Sequence, residues 1–169
     1  MDYEPALPLI SVLCHGPEQA RRAFEKLNGL WEGFVVSAPS FLFDISRYYE
    51  SEMGYPLYRW WCWRNKLADP SKLIEWKHNC TEIEQELARE DGSRTVNLDP
   101  GYLNYALVVL GSYKYDLQKI YLGDKVYADP VLRFDDGGYH PFDWSFPDFK
   151  INNYYSRLEK IRLIYKALR

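Results

Sequence analysis

The chain has 169 residues, of which 47% are hydrophobic and 27% charged, a composition typical of a folded globular protein and not of a disordered one. Its formal net charge of -3 argues against a general binder of polyanions, which needs a strongly basic surface. Three cysteines and three histidines, without a CxxC pair, also argue against a structural zinc site.

A chain of this length fits one domain with a substantial core, so we expect residues 1–169 to form a single α+β domain. No apolar run approaches the length of a membrane span, and the N-terminal MDYEPALPLIS does not resemble a signal peptide. The odd number of cysteines is typical of reduced thiols. We therefore expect a cytoplasmic protein that does not bind membranes, and the sequence predicts no particular oligomeric state.

The first quarter of the chain predicts a strand, a helix and a second extended segment. The apolar run at residues 8–14 is rich in strand formers, and the His-Gly-Pro that follows places Pro17 at the first position of a helix ending near residue 29. Residues 34–45 are predicted to be extended, with Asp44 facing away from the alternating apolar side chains.

The middle of the chain predicts the same succession again. The aromatic segment LYRWWCWRNKL, residues 57–67, is typical of a strand. Asp69-Pro70 combines a helix cap with a proline at the first helical position, and an apolar stripe then continues to residue 87. Residues 93–99, SRTVNLD, alternate as a strand whose polar face carries Asp99.

The order strand, helix, strand, strand, helix, strand is that of a ferredoxin-like fold, which has an antiparallel sheet with two helices on one face. Beyond it we predict a third helix at residues 103–110, a hairpin around residues 123–124, a turn at residues 135–138 and an amphipathic helix at the C-terminus. The predicted fold is therefore α+β, with a ferredoxin-like βαββαβ core, an added β-hairpin and a C-terminal helix.

Four stretches of the chain together match a known pattern: FDISRYYESEMG at residues 43–54, RTVNLDPGYLN at 94–104, KIYLGDKVYAD at 119–129 and WSFPDF at 144–149. They resemble the prokaryotic family catalogued only as domain of unknown function 4416, whose pattern includes an FD-x-T-x-YYE-x-EMG block and an R-x-VNLDPGY block. The resemblance runs from about residue 30 to the C-terminal helix and implies no function.

The chain departs from the pattern of that family at some positions. Ser46 stands where the family has threonine, and Asp129 stands where it has glutamate, so that the carboxylate is kept. Some relatives carry a GTP-binding label. A P-loop needs the stretch G-x-x-x-x-G-K-[ST] to hold phosphates, and no such stretch exists in this chain.

The acidic, tyrosine-rich segment at residues 43–54 is the first candidate site. As a strand, it would place Asp44, Glu50 and Glu52 on one face, where one divalent ion such as Mg²⁺ could bind them together with a substrate phosphate. As a short helix, it would instead place Tyr49 beside Met53. A third interpretation is a solvated polar rim without a specific role.

Asp99 and His15 are the other candidates outside that segment. Asp99 either caps a following helix or lies near Asp44, where the two acids would form a general-base or metal site in which one pKa is raised. His15 precedes the first helix, whose exposed amides attract anions, so His15 and Arg94 are predicted contacts for a phosphate. An ordinary surface position is the alternative for His15.

Aromatic residues make up 17% of the chain, enough to fill a core or to form a binding surface. Trp60, Trp61 and Trp63 could stack with RNA bases, but strand alternation places these rings on both faces, which favours core packing.

Two functional hypotheses follow. The first is a small enzyme or binding protein for a phosphorylated or nucleotide-like ligand, with catalytic Asp44, Glu50 and Asp99 and ligand contacts from His15, Arg94 and Tyr49. The alternative is a non-catalytic module that binds RNA or protein through exposed aromatic residues. The first hypothesis expects Asp44 and Asp99 to share a pocket.

Overall fold

The computed structural model describes residues 3–151 and 153–169. Its elements are β1 (Leu7–Cys14), α1 (Pro17–Leu30), β2 (Phe34–Val36), β3 (Phe41–Phe43), α2 (Glu50–Met53), β4 (Leu57–Arg64), a 3-10 turn (Pro70–Lys72), α3 (Leu73–Glu86), β5 (Val96–Leu103), β6 (Leu107–Ser112), β7 (Ile120–Gly123), β8 (Val126–Asp135), β9 (Gly138–Pro141), α4 (Pro147–Lys150) and α5 (Tyr155–Leu168). The protein is thus mixed α+β, as the sequence predicts.

These strands form one antiparallel sheet. Its order is β2-β4-β1-β5-β6-β8-β7, with β3 also beside β4 and β9 also beside β8. Strand β1 lies between β4 and β5 and pairs with both along most of its length. Every residue of β1 is buried, as expected for a strand with neighbours on both sides and covered faces.

Each face of the sheet carries its own hydrophobic core. On one face, α1 and α3 pack against alternate strand residues such as Ile10, Val12 and Leu98. On the opposite face, α5 covers residues such as Leu9 and Trp61. Because successive side chains of a strand point to opposite faces, the same strands supply both cores.

The tryptophans of β4 belong to these cores. Trp61 is fully buried beneath α5, whereas Trp60 packs against the α1 and α3 side and Trp63 packs against the α5 side. They therefore contribute packing area and do not form a row of rings on one surface.

The prediction of a helix at residues 103–110 is wrong. These residues form the end of β5, a turn and the start of β6. The side chain of Asn104 accepts hydrogen bonds from the backbone N–H groups of Ala106 and Leu107, at 3.0 and 2.8 Å, and so stabilises a turn. The apolar run that follows pairs with β8 as a strand.

The strand interpretation of residues 44–52 is also wrong. Strand β3 ends at Phe43, a turn follows in which the hydroxyl of Ser46 accepts a hydrogen bond from the N–H of Tyr48, and α2 begins at Glu50. Gly54, with φ of +90°, ends this helix in a conformation that other residues rarely adopt. The short-helix alternative is therefore the observed one for residues 50–53.

The predicted hairpin at residues 123–124 and the predicted turn at residues 135–138 are both confirmed. Strands β7 and β8 are joined through Asp124 and Lys125, which have positive φ values of 46° and 64°. Strands β8 and β9 are joined through Asp136 and Gly137, which also have positive φ. None of the described helices combines the length and apolar character that crossing a membrane requires.

Candidate ligand-binding cavity

The sheet opens between β5 and β6. These strands pair at only three positions, of which Gly101 opposite Leu110 is the last. Pro100, the residue before Gly101 in β5, has no N–H to donate to β6. A side chain at Gly101 would place its Cβ atom 2.1 Å from the carbonyl oxygen of Val109, so only glycine permits this close approach. Beyond it the two strands pair with other neighbours, β5 with β1 and β6 with β8.

A cavity of about 600 Å³ lies where the two strands separate. Its wall comes from strands β4, β5, β6 and β8, from helix α3, from residues 43–49, from the loop at residues 113–119 and from residues 146–149. This volume is within the usual range for small-molecule sites, roughly 300–1,000 Å³.

The floor of the cavity is a charged continuation of the core that α5 covers. Arg59 precedes Trp61 by two residues and Asp99 precedes Leu103 by four, so each shares a sheet face with its buried apolar partner. Asp129 pairs with Leu110, which belongs to the same core. Charged side chains thus replace apolar ones on the part of this face that lines the cavity.

Three ion pairs lie in the cavity wall. Arg59 and Asp148 are 3.2 Å apart, Lys77 and Asp99 are 3.4 Å apart, and Lys119 and Asp129 are 3.5 Å apart. Five of these side chains are at most 10% exposed, and Asp99 is 27% exposed. The two lysine contacts are longer than a strong charge-assisted hydrogen bond, which is about 2.7–2.9 Å.

The cations of these pairs differ in how many partners they have. Arg59 donates to Tyr154 and Ser11 and forms an ion pair with Asp148, so each of its three nitrogens has a partner. Among the described residues, the ammonium group of Lys77 has Asp99 as its hydrogen-bond acceptor, and that of Lys119 has Asp129 and the hydroxyl of Ser112. An ammonium group has three donors, so both lysines keep bonding capacity in the cavity wall.

The surroundings shift the pKa values of the ionisable groups in the wall. Burial alone lowers the pKa of Lys77, but the charges of Asp99 and Glu84 more than offset this and raise it. Burial raises the pKa of Glu84 to about 7, although the N–H of Leu98 donates to its carboxylate and Lys77 lies nearby. Lys77 therefore stays charged at neutral pH, whereas Glu84 gains or loses its proton close to neutral pH.

A polar network connects α2 to β5 at the rim of the cavity. Arg94 donates to both carboxylate oxygens of Glu52, at 2.9 and 2.8 Å, and to the side-chain oxygen of Asn97 at 2.8 Å. Asn97 in turn donates to Asp99 at 2.6 Å. The hydrogen bond from Arg94 lowers the pKa of Glu52, which keeps this carboxylate ionised.

A family model described as Domain of unknown function (DUF4416) matches residues 4–165. The chain belongs to this family. No curated protein matches this chain, and no solved structure matches it either. The function of this DUF4416 protein must therefore be inferred from the geometry of its own residues.

Three predicted site residues of the DUF4416 chain line the cavity: Tyr49, Arg94 and Asp99. Tyr49 is half-buried, and burial raises its pKa to about 12, so it stays a neutral phenol. The guanidinium of Arg94 lies 5.9 Å from the ring centre of Tyr49 and is already bound to Glu52. Arg94 thus acts here as a structural connection rather than as a free anion contact.

The other predicted residues are not in the cavity wall. Asp44 is exposed and does not share the pocket of Asp99, and Glu50 also lies outside the wall. His15 is exposed at the start of α1, where its Nδ1 atom is 2.8 Å from the carbonyl oxygen of Pro56. The convergence of Asp44 with Asp99 that the first hypothesis expects is absent.

The predicted metal site at Asp44, Glu50 and Glu52 is not formed. Within residues 3–151 and 153–169, no group of three or more His, Cys, Asp or Glu side chains is placed so that it could hold a metal ion. The reason is local: residues 44–52 form a turn and a helix instead of a strand, and the carboxylate of Glu52 is bound by Arg94.

Eight charged residues of the wall are not among the predicted site residues: Arg59, Lys77, Glu84, Lys114, Asp116, Lys119, Asp129 and Asp148. Two of them, Lys77 and Glu84, are detectable from the sequence pattern of α3. Lys77 follows Leu73 by four residues and Glu84 follows Cys80 by four, so both lie at positions of the buried stripe of α3. A charge at such a position indicates either a buried ion pair or a site.

Proposed function

We propose that the cavity binds a phosphorylated, nucleotide-like small molecule. The observation that carries this proposal is the pair of nearly buried ammonium groups, Lys77 and Lys119, in one cavity wall, each with donors left over. A phosphate group presents several strong acceptors and negative charge, which suits such donors. Burying an ammonium group without full hydrogen bonding is costly, so a ligand anion would stabilise both lysines.

Aromatic rings support the nucleotide-like character of the ligand. The wall includes Tyr48 and Tyr49 from residues 43–49, Tyr113 and Tyr115 from the loop at residues 113–119, and Phe146 from residues 146–149. Rings of this kind stack with planar bases, and each stacked base contributes roughly 1–3 kcal/mol of binding energy. A ligand with a planar ring and a phosphate would therefore use both halves of the wall.

Proton transfer on a bound ligand falls to Glu84 and Asp99 in this proposal. Glu84 has a pKa of about 7, close to the value that suits a general acid or base at neutral pH. Asp99 is the one predicted catalytic residue that lines the cavity, 3.4 Å from Lys77. Asp44 and Glu50 have no part in it, because they lie outside the wall.

We also propose that β1, α1, β2 with β3, β4, α3 and β5 form a ferredoxin-like core within a single domain. The strand order β2-β4-β1-β5, the antiparallel pairing and the position of α1 and α3 on one face support this. The larger sheet then arises from β6 to β9, added beside β5. The free, buried Cys14, Cys62 and Cys80 support a reducing compartment such as the cytoplasm.

The test is a thermal-shift screen with inorganic phosphate, ribose 5-phosphate, nucleoside mono- and triphosphates and a single-stranded RNA, each with and without MgCl₂. A ligand at one hundred times its Kd stabilises the folded state by about 2.7 kcal/mol, so we expect Tm to rise by about 5 °C or more. The double variant Lys77→Met with Asp99→Asn removes one ion pair without leaving an unpaired charge, and it should lose this shift.

Lys72→Met is the matched control, because Lys72 is exposed just before α3 and pairs with Glu75. This variant should keep the full shift. A flat response of the wild-type protein to every phosphate, with or without magnesium, would contradict the proposal. Stabilisation by the RNA alone would instead favour the RNA-binding alternative.

A further inference from the structure

Asp129 has a carboxylate oxygen that lacks a partner. This residue of β8 is 3% exposed, and its Oδ2 atom is 3.5 Å from the ammonium of Lys119. Its Oδ1 atom is buried and, within the described part of the chain, has no hydrogen-bond partner. Burial raises the pKa of Asp129, against the lowering effects of Lys119 and Gln118.

The position of this atom distinguishes it from other buried polar atoms without partners. In the described residues, five buried side-chain atoms lack a hydrogen-bond partner: the hydroxyls of Ser37 and Tyr139, the indole nitrogens of Trp61 and Trp63, and Oδ1 of Asp129. Of these five residues, Asp129 is the one in the cavity wall. A carboxylate oxygen without a partner is expensive, so a partner from a cavity ligand would stabilise it.

The chemistry around Asp129 favours a neutral donor. The charged groups that face it are Lys119 and the exposed Asp116, with the amide of Gln118 nearby. Lys119 already balances the charge of Asp129, and a second cation there would be repelled by that ammonium and would lose its own hydration. A hydroxyl donates without bringing a second charge.

The contact between Lys119 and Asp129 indicates which hydroxyl of the ligand would donate to Asp129. A phosphate held by Lys119 is close to Asp129, because the two side chains are in contact. In a nucleotide or a sugar phosphate, the group bonded to the phosphate is the sugar, whereas the base is farther away. The sugar hydroxyls are therefore the donors within reach of the free oxygen of Asp129.

We propose that Asp129 accepts a hydrogen bond from a sugar hydroxyl of the ligand, so that the cavity takes the phosphate ester of a hydroxylated sugar, a ribonucleotide or a sugar phosphate. This inference rests on the phosphate-binding function proposed above. It makes Asp129 a ligand-binding residue that selects ribose over deoxyribose.

The test is calorimetric titration with the four ribonucleoside 5′-monophosphates, their 2′-deoxy and 3′-deoxy counterparts and ribose 5-phosphate. The variant Asp129→Asn keeps the shape of the side chain. Because Lys119 requires the carbonyl oxygen of the new amide, the NH₂ group takes the place of Oδ1 and turns an acceptor into a donor. Asp124→Asn is the matched control, since Asp124 is exposed in the β7–β8 turn and asparagine tolerates its positive φ.

The expected result has two parts. Removing one sugar hydroxyl should weaken binding to the wild-type protein about tenfold or more, and Asp129→Asn should weaken binding of the full ribose ligand to a similar extent. The Asp129→Asn protein should then bind the ribose and deoxyribose forms equally, while Asp124→Asn should behave as wild type.

Two outcomes would overturn the inference, and they differ in what they leave standing. If deoxy analogues bind the wild-type protein as tightly as the ribose forms, the hydroxyl contact is refuted and phosphate binding stands. If none of the phosphate esters binds the wild-type protein, both proposals are refuted together. The comparison of analogues on the wild-type protein gives this answer even if Asp129→Asn does not fold.

Discussion

Glu84 is a carboxyl group on the buried side of α3, 8% exposed, where it accepts the backbone N–H of Leu98 and so holds the helix against β5. The charged groups that face it are Lys77, Arg94 and Asp99. Burial is the main cause of its raised pKa, which means that the folded protein holds this proton more tightly than the unfolded chain does.

This pKa predicts a pH dependence of stability. The pKa rises from an ordinary value of 4.5 to about 7 on folding, so the folded state binds more protons than the unfolded state between these values. The contribution of Glu84 to the free energy of unfolding should therefore fall by about 3 kcal/mol as the pH rises through that window. Glu84→Gln removes this titration and keeps an acceptor for Leu98.

Urea unfolding of the wild-type protein and Glu84→Gln from about pH 4.5 to about pH 8 measures this difference. The variant should gain stability relative to wild type as the pH rises. Glu82→Gln, at an exposed position of the same helix, serves as the control and should show wild-type behaviour. Stability curves for Glu84→Gln that run parallel to wild type across this range would show that Glu84 does not titrate as described.

The residues of the cavity were predictable from sequence only in part. Asp99 is predictable because polar and apolar residues alternate in residues 93–99, and Tyr49 because it belongs to the acidic, tyrosine-rich segment at residues 43–54. Lys77 and Glu84 were detectable as charges within an apolar helical stripe. Lys119 and Asp129 lie on either side of the β7–β8 hairpin, whose register places Ile120 opposite Ala128, so their proximity follows from that local hairpin. Their place in a cavity wall depends on where β5 and β6 separate, which no local pattern encodes.

At the scale of elements, the separation of β5 from β6 creates the cavity. Pro100 ends the ladder on one side, and Gly101 permits the closest approach of the two strands immediately before they diverge. The sequence Pro-Gly inside a strand is therefore a structural requirement of the site, because it sets the last point of pairing.

Gly101→Ala should destabilise the protein by about 3 kcal/mol, because the added Cβ would meet backbone atoms of Val109 and Leu110 that must move. Gly29→Ala is the matched control, since a Cβ at that helical position has no atom within 4 Å. It should leave the free energy of unfolding unchanged or raise it by up to about 1 kcal/mol. Equal stabilities of the two variants in urea unfolding would be inconsistent with the close approach at Gly101.

The short helix α2 is connected to the sheet by the paired hydrogen bonds between Glu52 and Arg94. Both side chains are about one-third exposed, at 33% and 31%, so solvent screens much of their attraction. A double-mutant cycle with Glu52→Ala and Arg94→Ala should give a coupling energy of about 1 kcal/mol.

The exposed pair Arg21 and Glu25 on α1 is the control for that cycle. Its coupling in urea unfolding should be close to zero, because both side chains are more than 60% exposed, at 62% and 63%. Coupling at Glu52 and Arg94 no larger than in this control would mean that the contact does not hold α2 in place.

Most elements of the fold could be predicted because their signals are local. Apolar runs, helical apolar spacing, proline at the first helical position and turn residues that tolerate positive φ predict β1, α1, α3, the β7–β8 hairpin, the β8–β9 turn and α5. The apolar run at residues 107–110 was ambiguous, since a short apolar segment suits a strand or a buried helix equally. Pairing with β8 decided it, and that pairing is a tertiary interaction.

At the scale of the whole molecule, one sheet face changes character along its length. Where α5 covers it, the face is apolar and includes Leu9 and Trp61. Where the helix no longer covers it, the same face carries the charged side chains of Arg59, Asp99 and Asp129 around a cavity of about 600 Å³. Buried charges reduce stability unless they are fully paired, so their presence in one concave wall supports the proposed binding site.

The most direct measurement is a crystal structure of the protein grown with the phosphate ester that gives the largest thermal shift. We predict phosphate oxygens about 3 Å from the ammonium group of Lys119, of Lys77 or of both, inside the cavity between β5 and β6. A phosphate bound elsewhere, for example at the start of α1 beside His15, with the cavity empty, would contradict the proposed site.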